Sequence, residues 1–512
     1  MKRALAGLAG CAVAASLAAS AAGGDRPSTV SLSLQGRYAG SGAEIAAYDR
    51  KSERLFVTDA ARGSVDIVSI ADPAHPSLVR SISVAPGSPN SVAVDKGVVA
   101  VAVEAPVKTD PGSVRFYDAD GDALHPGVTV GALPDMLVFT ENHRYLLVAN
   151  EGEPSGYGAG HVDPEGSVSV IDMRGGLRRL TQDDVETAGF GGVTIPAGVR
   201  IFGPGATPAQ DLEPEYITVD RRSRTAWVTL QEANAIAELD VDDARIRSVR
   251  PLGFKNHNAA GNALDASDRD GIGNAGRIAI VNRPVFGMYQ PDAVAAFSFR
   301  GDTYLATANE GDARDWPGFA EEARVSALDL DDAAFPDEAA LKNDDDKAFG
   351  RLTVTSTLGN PDGDGDYEEL YAFGARSFSI WSERGRLVFD SGDAFEQITA
   401  AQLPALFNSE SGAGFDSRSD NKGPEPEGLA LGEVRDRTYA FVGFERIGGV
   451  IAYDVSNPHA PRFVQYVNPE PTVDQAPEGL LFIDKNDSPT DRPLLVVTNE
   501  VSGTTSIYEV DD

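Results

Sequence analysis

The chain reads PEPEGLALGEVRDRTYAFVGFERIGGVIAYDV at residues 424–455, and APEGLLFIDKNDSPTDRPLLVVTNEVSGTTSIYEV at residues 476–510 repeats the pattern. In each stretch a proline and an acid precede an apolar run. A second apolar run then ends in an acid before a Gly-containing turn and a third strand. A repeat of about 40–50 residues made of short strands is typical of a β-propeller. We therefore predict an all-β chain whose blades are four-stranded sheets around a central channel.

The pattern recurs along most of the chain. Thr29–Tyr38 alternates like a strand and is expected to complete the last blade, whose own copy has only three strands. The sixth copy is the weakest, and the propeller has seven blades if that copy belongs to a neighbour. The count of eight rests on copies at roughly 40–87, 88–131, 132–205, 206–253, 290–358, 366–400, 424–468 and 476–511.

Acids recur at two places in these copies. In a blade the first strand runs along the channel and the second returns antiparallel, so the start of the first and the end of the second share one face. We therefore predict two carboxylate rings at one channel mouth, which raise each other's pKa or bind cations. Turn chemistry is the alternative for any single position. First-strand heads are Glu44, Asn90, Asp135, Glu215, Asp292, Glu368, Glu427 and Glu478, and second-strand ends are Asp59, Glu104, Glu151, Glu232, Glu310, Glu383, Glu445 and Glu500.

Residues 29–512 are predicted to form a single propeller domain because repeats stack about one core. Three insertions interrupt it, at 176–212, 254–289 and 312–350. Long loops inside a compact domain are usually functional or disordered. We expect the second insertion to be ordered, because it is rich in Asn, Asp and Gly turns, and the third to contain a short helix.

The N-terminus has the pattern of an export signal. Lys2 and Arg3 precede an apolar run, and cleavage is expected after Ala21, with 22–28 as a short linker. Alternatively, Leu8–Cys11 has the form of a lipobox, which would give a protein lipid-anchored through Cys11. The protein is therefore expected in the periplasm or outside the cell. Since Cys11 is the only cysteine, the mature fold would have no thiolate chemistry.

The charge balance narrows the classes of partner. The chain has 44 Lys and Arg against 78 Asp and Glu, a net charge of −34. This argues against binding to nucleic acid or to anionic lipid, both of which need a basic surface. It fits metal cations, basic partners or plain solubility, and a halophilic host is a rival explanation. No later segment is apolar enough to cross a membrane.

Two loops are candidate metal sites. Asp362, Asp364 and Asp366 alternate with glycines and Glu368 follows two residues later, which lets a loop curl its carboxylates around one hard cation. This resembles the first half of an EF-hand loop without its helices, and favours calcium over another divalent metal. A solvated acidic turn is the alternative. The other metal candidates are Asp265, Asp268 and Asp270 in a second oxygen-rich turn, and Glu151 and Asp312 beside strand ends.

A catalytic set is harder to find. We find no nucleophile elbow, zincin helix or P-loop. Arg314, with Arg376 and Arg446 as weaker candidates, could hold a phosphate or carboxylate by a bidentate contact, or could simply neutralise Asp312 and Asp315. His257 and Glu310 are the candidate proton-transfer groups, although a lone histidine is more often structural.

Several long segments resemble the choice-of-anchor I family, which is related to mesenchyme-specific cell-surface glycoproteins of biomineralisation. They are LPDMLVFTENHRYLLVANEGEPS (133–155), HNAAGNALDASDRDG (257–271), PVFGMYQPDAVAAF (284–297), TANEGDARDW (307–316), segments of 374–396, and 426–449. The resemblance implies an exported, propeller-like protein held at the surface by varying anchors. Because the chain stops just after its last strand, Cys11 is the remaining candidate anchor. Some bacterial relatives are labelled alkaline phosphatases.

Three functional hypotheses follow. The first is an exported, calcium-binding propeller that acts as a surface or matrix binding module. The second is a metal-dependent phosphohydrolase acting on phosphate esters, in which His257, Glu310 and Arg314 serve a metal-loaded acidic face. The third is a structural propeller that docks another exported protein.

Overall fold

Four-stranded antiparallel sheets recur along the chain, and the part that the structure describes contains seven of them. The computed structural model describes residues 30–346 and 348–511, and the side chains of 343–346 are not described. The expected signal peptide, Cys11 and the linker 22–28 lie outside the described residues.

We number the sheets as blades 1 to 7, each named by its strands from the channel outward. Strand β1 (Ser31–Ala39) belongs to blade 7. Blade 1 has β2 (Ala43–Asp49), β3 (Arg54–Asp59), β4 (Ser64–Ser69) and β5 (Ser77–Ser83). Blade 2 has β6 (Ser88–Asp95), β7 (Val98–Glu104), β8 (Pro111–Asp118) and β9 (Ala123–Ala132). Blade 3 has β10 (Pro134–Phe139), β11 (Tyr145–Asn150), β12 (Ser167–Asp172) and β13 (Val185–Gly189).

The remaining blades follow the same plan, with one interruption in blade 5. Blade 4 has β14 (Ile217–Val219), β15 (Thr225–Leu230), β16 (Ala235–Asp240) and β17 (Arg245–Pro251). An inserted sheet has β18 (Phe254–Asn256), β19 (Phe286–Met288), β24 (Glu322–Arg324), β25 (Thr353–Thr355) and β26 (Tyr371–Ala372). Blade 5 has β20 (Val294–Phe299), β21 (Asp302–Asn309), β27 (Ser377–Ser382) and β28 (Leu387–Asp390), and β22 (Asp315–Trp316) pairs with β23 (Phe319–Ala320). Blade 6 has β29 (Pro426–Val434), β30 (Arg437–Phe444), β31 (Val450–Asp454) and β32 (Arg462–Val467), and blade 7 has β33 (Pro477–Ile483), β34 (Leu494–Asn499), β35 (Thr504–Asp511) and β1.

The ring is closed by the N-terminal strand, as the sequence predicts. Strand β1 pairs antiparallel with β35, from Ser31 opposite Asp511 to Ala39 opposite Thr504. The first strand of each blade contacts the first strand of the next, and β33 contacts β2. This closed circuit of sheets is a β-propeller, an architecture that leaves only short, protected strand edges at the channel.

The described blades number seven, as in the alternative count, because the sixth sequence copy is not a blade. Its strands β27 and β28 pair with β21 and complete blade 5, while β26 joins the inserted sheet. The placement of Glu383 on the acidic face is therefore wrong. Glu383 follows β27, the third strand of its blade, and its N–H donates to Thr303 at the opposite end of β21. Glu368 lies in a loop before the inserted sheet's β26 and is not a first-strand head.

Among the described residues, the α-helices are α1 (Pro208–Asp211), α2 (Glu338–Asp346) and α3 (Ala394–Gln402). Helix α2 is the helix expected in the third insertion, whereas α3 is not evident from the sequence pattern.

Apolar residues on facing sheets hold neighbouring blades together. Between blades 4 and 5, for example, the buried side chains of Trp227 and Ile236 pack in one cluster with Val294, Leu305 and Trp381. Burial of this kind contributes about 25 cal/mol per Å² of apolar surface removed from water. In the described part of the chain, no helix is both long enough and apolar enough to cross a membrane.

Candidate functional site: the carboxylate-lined channel mouth

The strand-end sequence Asn-Glu places its two side chains in different environments. Asn150 Nδ2 donates to Ser169 Oγ at 3.0 Å, and Asn309 Nδ2 donates to Ser379 Oγ at 2.8 Å, so each asparagine ties its strand to the next. Each following glutamate leaves the ladder at the mouth. Gly152 (φ 77°) follows Glu151 in the left-handed region, where glycine is favoured. The asparagines are therefore structural, and the glutamates are free to face the channel.

The first-strand acids face the channel because the strands bulge where they occur. Pairing registers shift between Pro134 and Met136 and between Pro477 and Leu480, which leaves Asp135 and Glu478 out of the ladder. A β-bulge redirects the side chain of its unpaired residue. These acids help to line a cavity of about 340 Å³ at the mouth. Its carboxylates come from Glu44, Glu104, Asp135, Glu151, Glu153, Asp292, Glu478 and Glu500, and Lys108 is the one lysine among the lining residues.

Crowding and burial make these carboxylates hard to ionise. Burial, reinforced by the charges of Glu500 and Asp135, raises the pKa of Glu44 to about 8. Burial and the charge of Glu153 raise the pKa of Asp135 to about 7. The structure brings these acids together at one mouth, where the sequence predicts them. Asp59 fits the turn alternative instead, because it accepts hydrogen bonds from Arg62 N at 3.0 Å and Ser41 Oγ at 2.6 Å.

We expect the unfolding free energy of the metal-free protein to fall as the pH rises from about 5 to 9. Unfolded carboxyl groups have a pKa of about 4, so between that value and about 8 the folded state holds protons that the unfolded chain has released. The stabilisation is complete below the unfolded pKa and is lost as the pH rises through the folded one, at about 1.4 kcal/mol per pH unit for each retained proton. Urea titrations across this range test the sign, and stability that increases with pH would contradict it.

Two groups of three glutamates at the mouth have ligand oxygens within 4.8 Å of one another. The Glu213 triad consists of Glu151, Glu213 and Glu232, and the Glu310 triad of Glu310, Glu425 and Glu445. Both have the same construction. A glutamate from the end of a second strand meets the first glutamate of a Glu-Pro-Glu sequence and the second-strand glutamate of the next blade.

The Glu213 triad contains buried carboxylate oxygens that have no hydrogen-bond partner within the protein. Glu213 and Glu232 are 2% and 5% exposed. Glu213 Oε2 lies 2.8 Å from Arg314 Nη2, but Glu213 Oε1 and Glu232 Oε2 are buried without a hydrogen-bond partner. Burial, together with the charge of Asp312, raises the pKa of Glu232 to about 8. A buried acceptor without a partner costs about 1–3 kcal/mol, which a bound cation would relieve.

The Glu310 triad, in contrast, contains its own cations. Lys422 Nζ lies 2.6 Å from Glu310 Oε1 and 3.1 Å from Glu425 Oε2. Arg446 lies 3.1 Å from Glu425 and 2.8 Å from Glu445. Although burial acts in the other direction, Lys422 and the neighbouring arginines lower the pKa of Glu425 to about 2. Internal cations thus contact all three glutamates of this triad, whereas in the Glu213 triad Arg314 contacts Glu213.

The three arginines predicted to bind a ligand instead form ion pairs and hydrogen bonds within the protein. The Arg314 side chain is 0% exposed, pairs with Asp211 and Glu213, and lies 4.6 Å from the ring centre of Phe202. It therefore neutralises acids, although other ones than the Asp312 and Asp315 that the sequence suggested. Arg376 is buried and donates to Glu396 and to three backbone carbonyls. Arg446 pairs with Glu425 and Glu445 of the Glu310 triad.

The three candidate catalytic residues lie in three separate networks. His257 is buried, and its Nδ1 donates to Asn262 O at 2.7 Å. Burial and the nearby charge of Lys255 hold its pKa well below the usual range. Glu310 contacts Lys422 and accepts from Gln231 Nε2 at 2.8 Å, whereas Arg314 contacts Asp211 and Glu213. Asp312 lies 3.8 Å from Lys422, beside the Glu310 triad.

The two predicted metal loops differ from the triads. Asp362 and Asp364 are exposed, and the loop's carboxylates do not form one of the two close groups among the described residues. In the second turn Asp268 pairs with Arg351 at 2.8 Å and Asp270 with Arg277 at 2.9 Å. Asp265 is buried and accepts from Ser267 N at 3.3 Å. Calcium binding by the first loop and metal binding by the second stay predictions.

Sequence reasoning missed Glu213, Glu425 and Lys422. A signal was present, because Glu-Pro-Glu occurs at both 213–215 and 425–427. In each Glu-Pro-Glu sequence the second glutamate was predicted to line the channel, and the first glutamate is one of the three members of a triad.

A closed seven-bladed propeller with a carboxylate-lined mouth defines the structural class of this protein. The sequence profile of the choice-of-anchor I domain matches residues 44–458, and the chain belongs to that family. It is 34% identical over 187 residues to Gigasin-3a of Magallana gigas, covering 32% of this chain and 66% of that protein. It is 28% identical over 362 residues to a mesenchyme-specific cell surface glycoprotein of Strongylocentrotus purpuratus, covering 62% of this chain and 43% of that protein. The chain thus spans less than two thirds of the length of each relative.

Two solved structures align with nearly the whole chain. One is the hydrazine synthase of Kuenenia stuttgartiensis, with a TM-score of 0.48 and 12% identity over 95% of this chain and 98% of the other. The second is the Cps50 (Swd1) β-propeller domain of Myceliophteria thermophila, with a TM-score of 0.46 and 9% identity over 94% of this chain and 100% of the other. The family and the cell-surface relative fit an extracellular propeller module.

Proposed function

We propose that this protein is an exported propeller module that binds calcium through the Glu213 triad in its channel mouth. The observation that carries the proposal is the pair of buried, unpartnered oxygens, Glu213 Oε1 and Glu232 Oε2, in a group whose ligand atoms lie within 4.8 Å of one another. An ion there would offset charges that burial otherwise penalises.

Calcium suits the donor set better than other divalent ions. All three side chains are carboxylates, which bind calcium through one or both oxygens and allow six to eight ligands in a flexible shell. Magnesium demands near-ideal octahedral geometry and usually keeps several waters. The triad joins segments from blades 3 and 4, so a bound ion would also fasten these two blades at the mouth.

The proposed role is that of a binding module at a cell surface or in a matrix. Family membership and the likeness to a cell-surface glycoprotein support this location. With calcium in place, the remaining mouth carboxylates would present a cation-dependent surface to another exported protein. We do not extend the proposal to phosphate-ester hydrolysis, because the Arg314 side chain is fully buried and His257 lies in a separate network.

We expect calcium to raise the melting temperature of the chelated, dialysed protein. A ligand that binds the native state alone stabilises it by about 2.7 kcal/mol at a free concentration 100 times its Kd. The Glu232→Gln variant should lose most of this shift because it removes one of the three charges. Differential scanning calorimetry with and without calcium measures the shift in each protein.

Two control variants locate the effect. Glu445→Gln removes the corresponding strand-end charge from the Glu310 triad, which Lys422 already serves, and should keep the calcium shift. Asp364→Asn in the exposed loop should also keep it. No shift in the unmodified protein would refute calcium binding. A shift that disappears in Asp364→Asn but persists in Glu232→Gln would move the site to the loop.

A further inference from the structure

A groove on the opposite face from the carboxylate mouth concentrates positive charge. It lies between blades 4 and 5, at the turns that join their first and second strands, and encloses a cavity of about 670 Å³. Six arginines and three carboxylates line it, and Asp240 and Glu433 pair with two of these arginines, which leaves one positive charge in excess although the chain carries −34. The arginines are Arg221, Arg222, Arg224, Arg247, Arg250 and Arg384.

Four of these arginines have an acidic partner, and two do not. Arg221 pairs with Glu433 at 3.2 Å and Arg384 with Glu383 at 4.0 Å. Arg250 Nη2 donates to Glu238 at 2.7 Å, and Arg247 pairs with Asp240, so both are held against blade 4. Arg222 and Arg224 are exposed, and among the residues described no carboxylate forms an ion pair with either of them. Each guanidinium has five donors, in a geometry that matches carboxylate, sulfate or phosphate.

The turn that carries the two arginines without an acidic partner is held in place. Asp220 Oδ1 accepts from Arg224 N at 2.7 Å and from Thr225 N at 3.0 Å. Ser223 adopts φ 56°, is buried, and its Oγ accepts from Asn142 N at 3.0 Å. The turn is therefore anchored to its own strand and to blade 3. A preorganised site loses less entropy when a ligand binds.

We propose that this groove binds a compact organic anion with two or more carboxylate, sulfate or phosphate groups. The cavity is within the range of about 300–1,000 Å³ typical of small-ligand sites. Nearby acids limit how far the positive charge of the groove extends. Asp220, Glu238 and Glu383 line the same groove, and Glu433 lies 3.2 Å from Arg221. Screening over about 8 Å at physiological salt limits the repulsion from more distant acids. A long polyanion would meet those acids directly.

The test uses calorimetric titration of the metal-free protein, with the chelator removed by dialysis because it is itself a polyanion. The probes are inositol hexakisphosphate, citrate, neutral inositol and dextran sulfate. We expect the first two to bind, neutral inositol not to bind, and dextran sulfate to gain nothing from its length. The Arg222→Ala/Arg224→Ala variant should bind inositol hexakisphosphate about 10-fold or more weakly, because it loses the two guanidinium groups that have no carboxylate partner.

Arg50→Ala/Lys51→Ala is the matched control. These exposed residues occupy the corresponding turn of blade 1, and the variant loses the same two charges. It should retain binding within about twofold, as expected for a site-specific effect. The absence of binding in the unmodified protein, an equal loss in both variants, or binding of dextran sulfate alone would overturn the proposal. None of these outcomes depends on calcium binding at the mouth.

Discussion

The Arg314→Met substitution is expected to lower the free energy of unfolding by about 3–5 kcal/mol. Arg314 is 0% exposed at its side chain and supplies the positive charge for Asp211 and Glu213, which are equally buried. Methionine would fill much of the volume but leave both carboxylates without that charge. Removing one partner of a buried ion pair costs more than the pair itself contributes, because the other charge stays desolvated.

Urea denaturation followed by tryptophan fluorescence measures this loss. The control is Arg174→Met, because Arg174 is half-exposed and pairs with Asp172 on the surface. Exposed pairs contribute about 0–1 kcal/mol. A loss for Arg314→Met no larger than that of the control would contradict the structural role assigned to Arg314. Such a result would instead favour the alternative hypothesis that Arg314 binds phosphate.

The Lys422→Met substitution is expected to cost a similar amount, about 3–5 kcal/mol, in the absence of calcium. The ammonium group is close to Glu310 and Glu425, and Glu425 is completely buried at its side chain. Arg418 and Arg446 would still serve Glu425, but Glu310 would lose its cation. The vacated position would then resemble the Glu213 triad, so calcium should restore part of the lost stability.

Lys108→Met provides the matched control. Lys108 is more than half exposed at its side chain and lies 3.8 Å from Glu153, so its loss should cost about 1 kcal/mol or less. Denaturation of both variants with and without calcium separates the effects. If Lys422→Met were no less stable than Lys108→Met, the assignment of Lys422 as an internal counter-ion would fail. If calcium did not stabilise Lys422→Met, the proposed equivalence of the triads would fail.

Much of the fold could be predicted because each blade contains a local pattern. The strand-end glutamates and first-strand acids occur at fixed points of a repeat, and antiparallel pairing brings those points to one face. The closing strand was also predictable, since the last copy had only three strands. The inserted sheet was not, because β19 and β26 pair in parallel although Phe286 and Tyr371 are distant in sequence. The same insertion separates β21 from β27 and made one blade look like two.

The site was predictable only in part. The alternating aspartates at 362–366 predict a metal-binding loop from the local sequence. The two glutamate triads, in contrast, are formed by residues of different blades. Glu151 and Glu232 were expected at the mouth, but their meeting with Glu213 depends on how the second-strand ends of two blades face the segment between them. The difference between the triads depends on Lys422, which no strand pattern includes. Charge compensation is a tertiary property that repeat spacing does not determine.

Anomalous diffraction from crystals grown with calcium would test the central claim most directly. The account predicts a peak between Glu151, Glu213 and Glu232, with carboxylate oxygens at about 2.3–2.6 Å from the ion. It predicts no peak between Glu310, Glu425 and Glu445, where Lys422 provides the positive charge. A mouth without a peak, or a peak confined to the loop at 362–368, would contradict the assignment of calcium to the Glu213 triad.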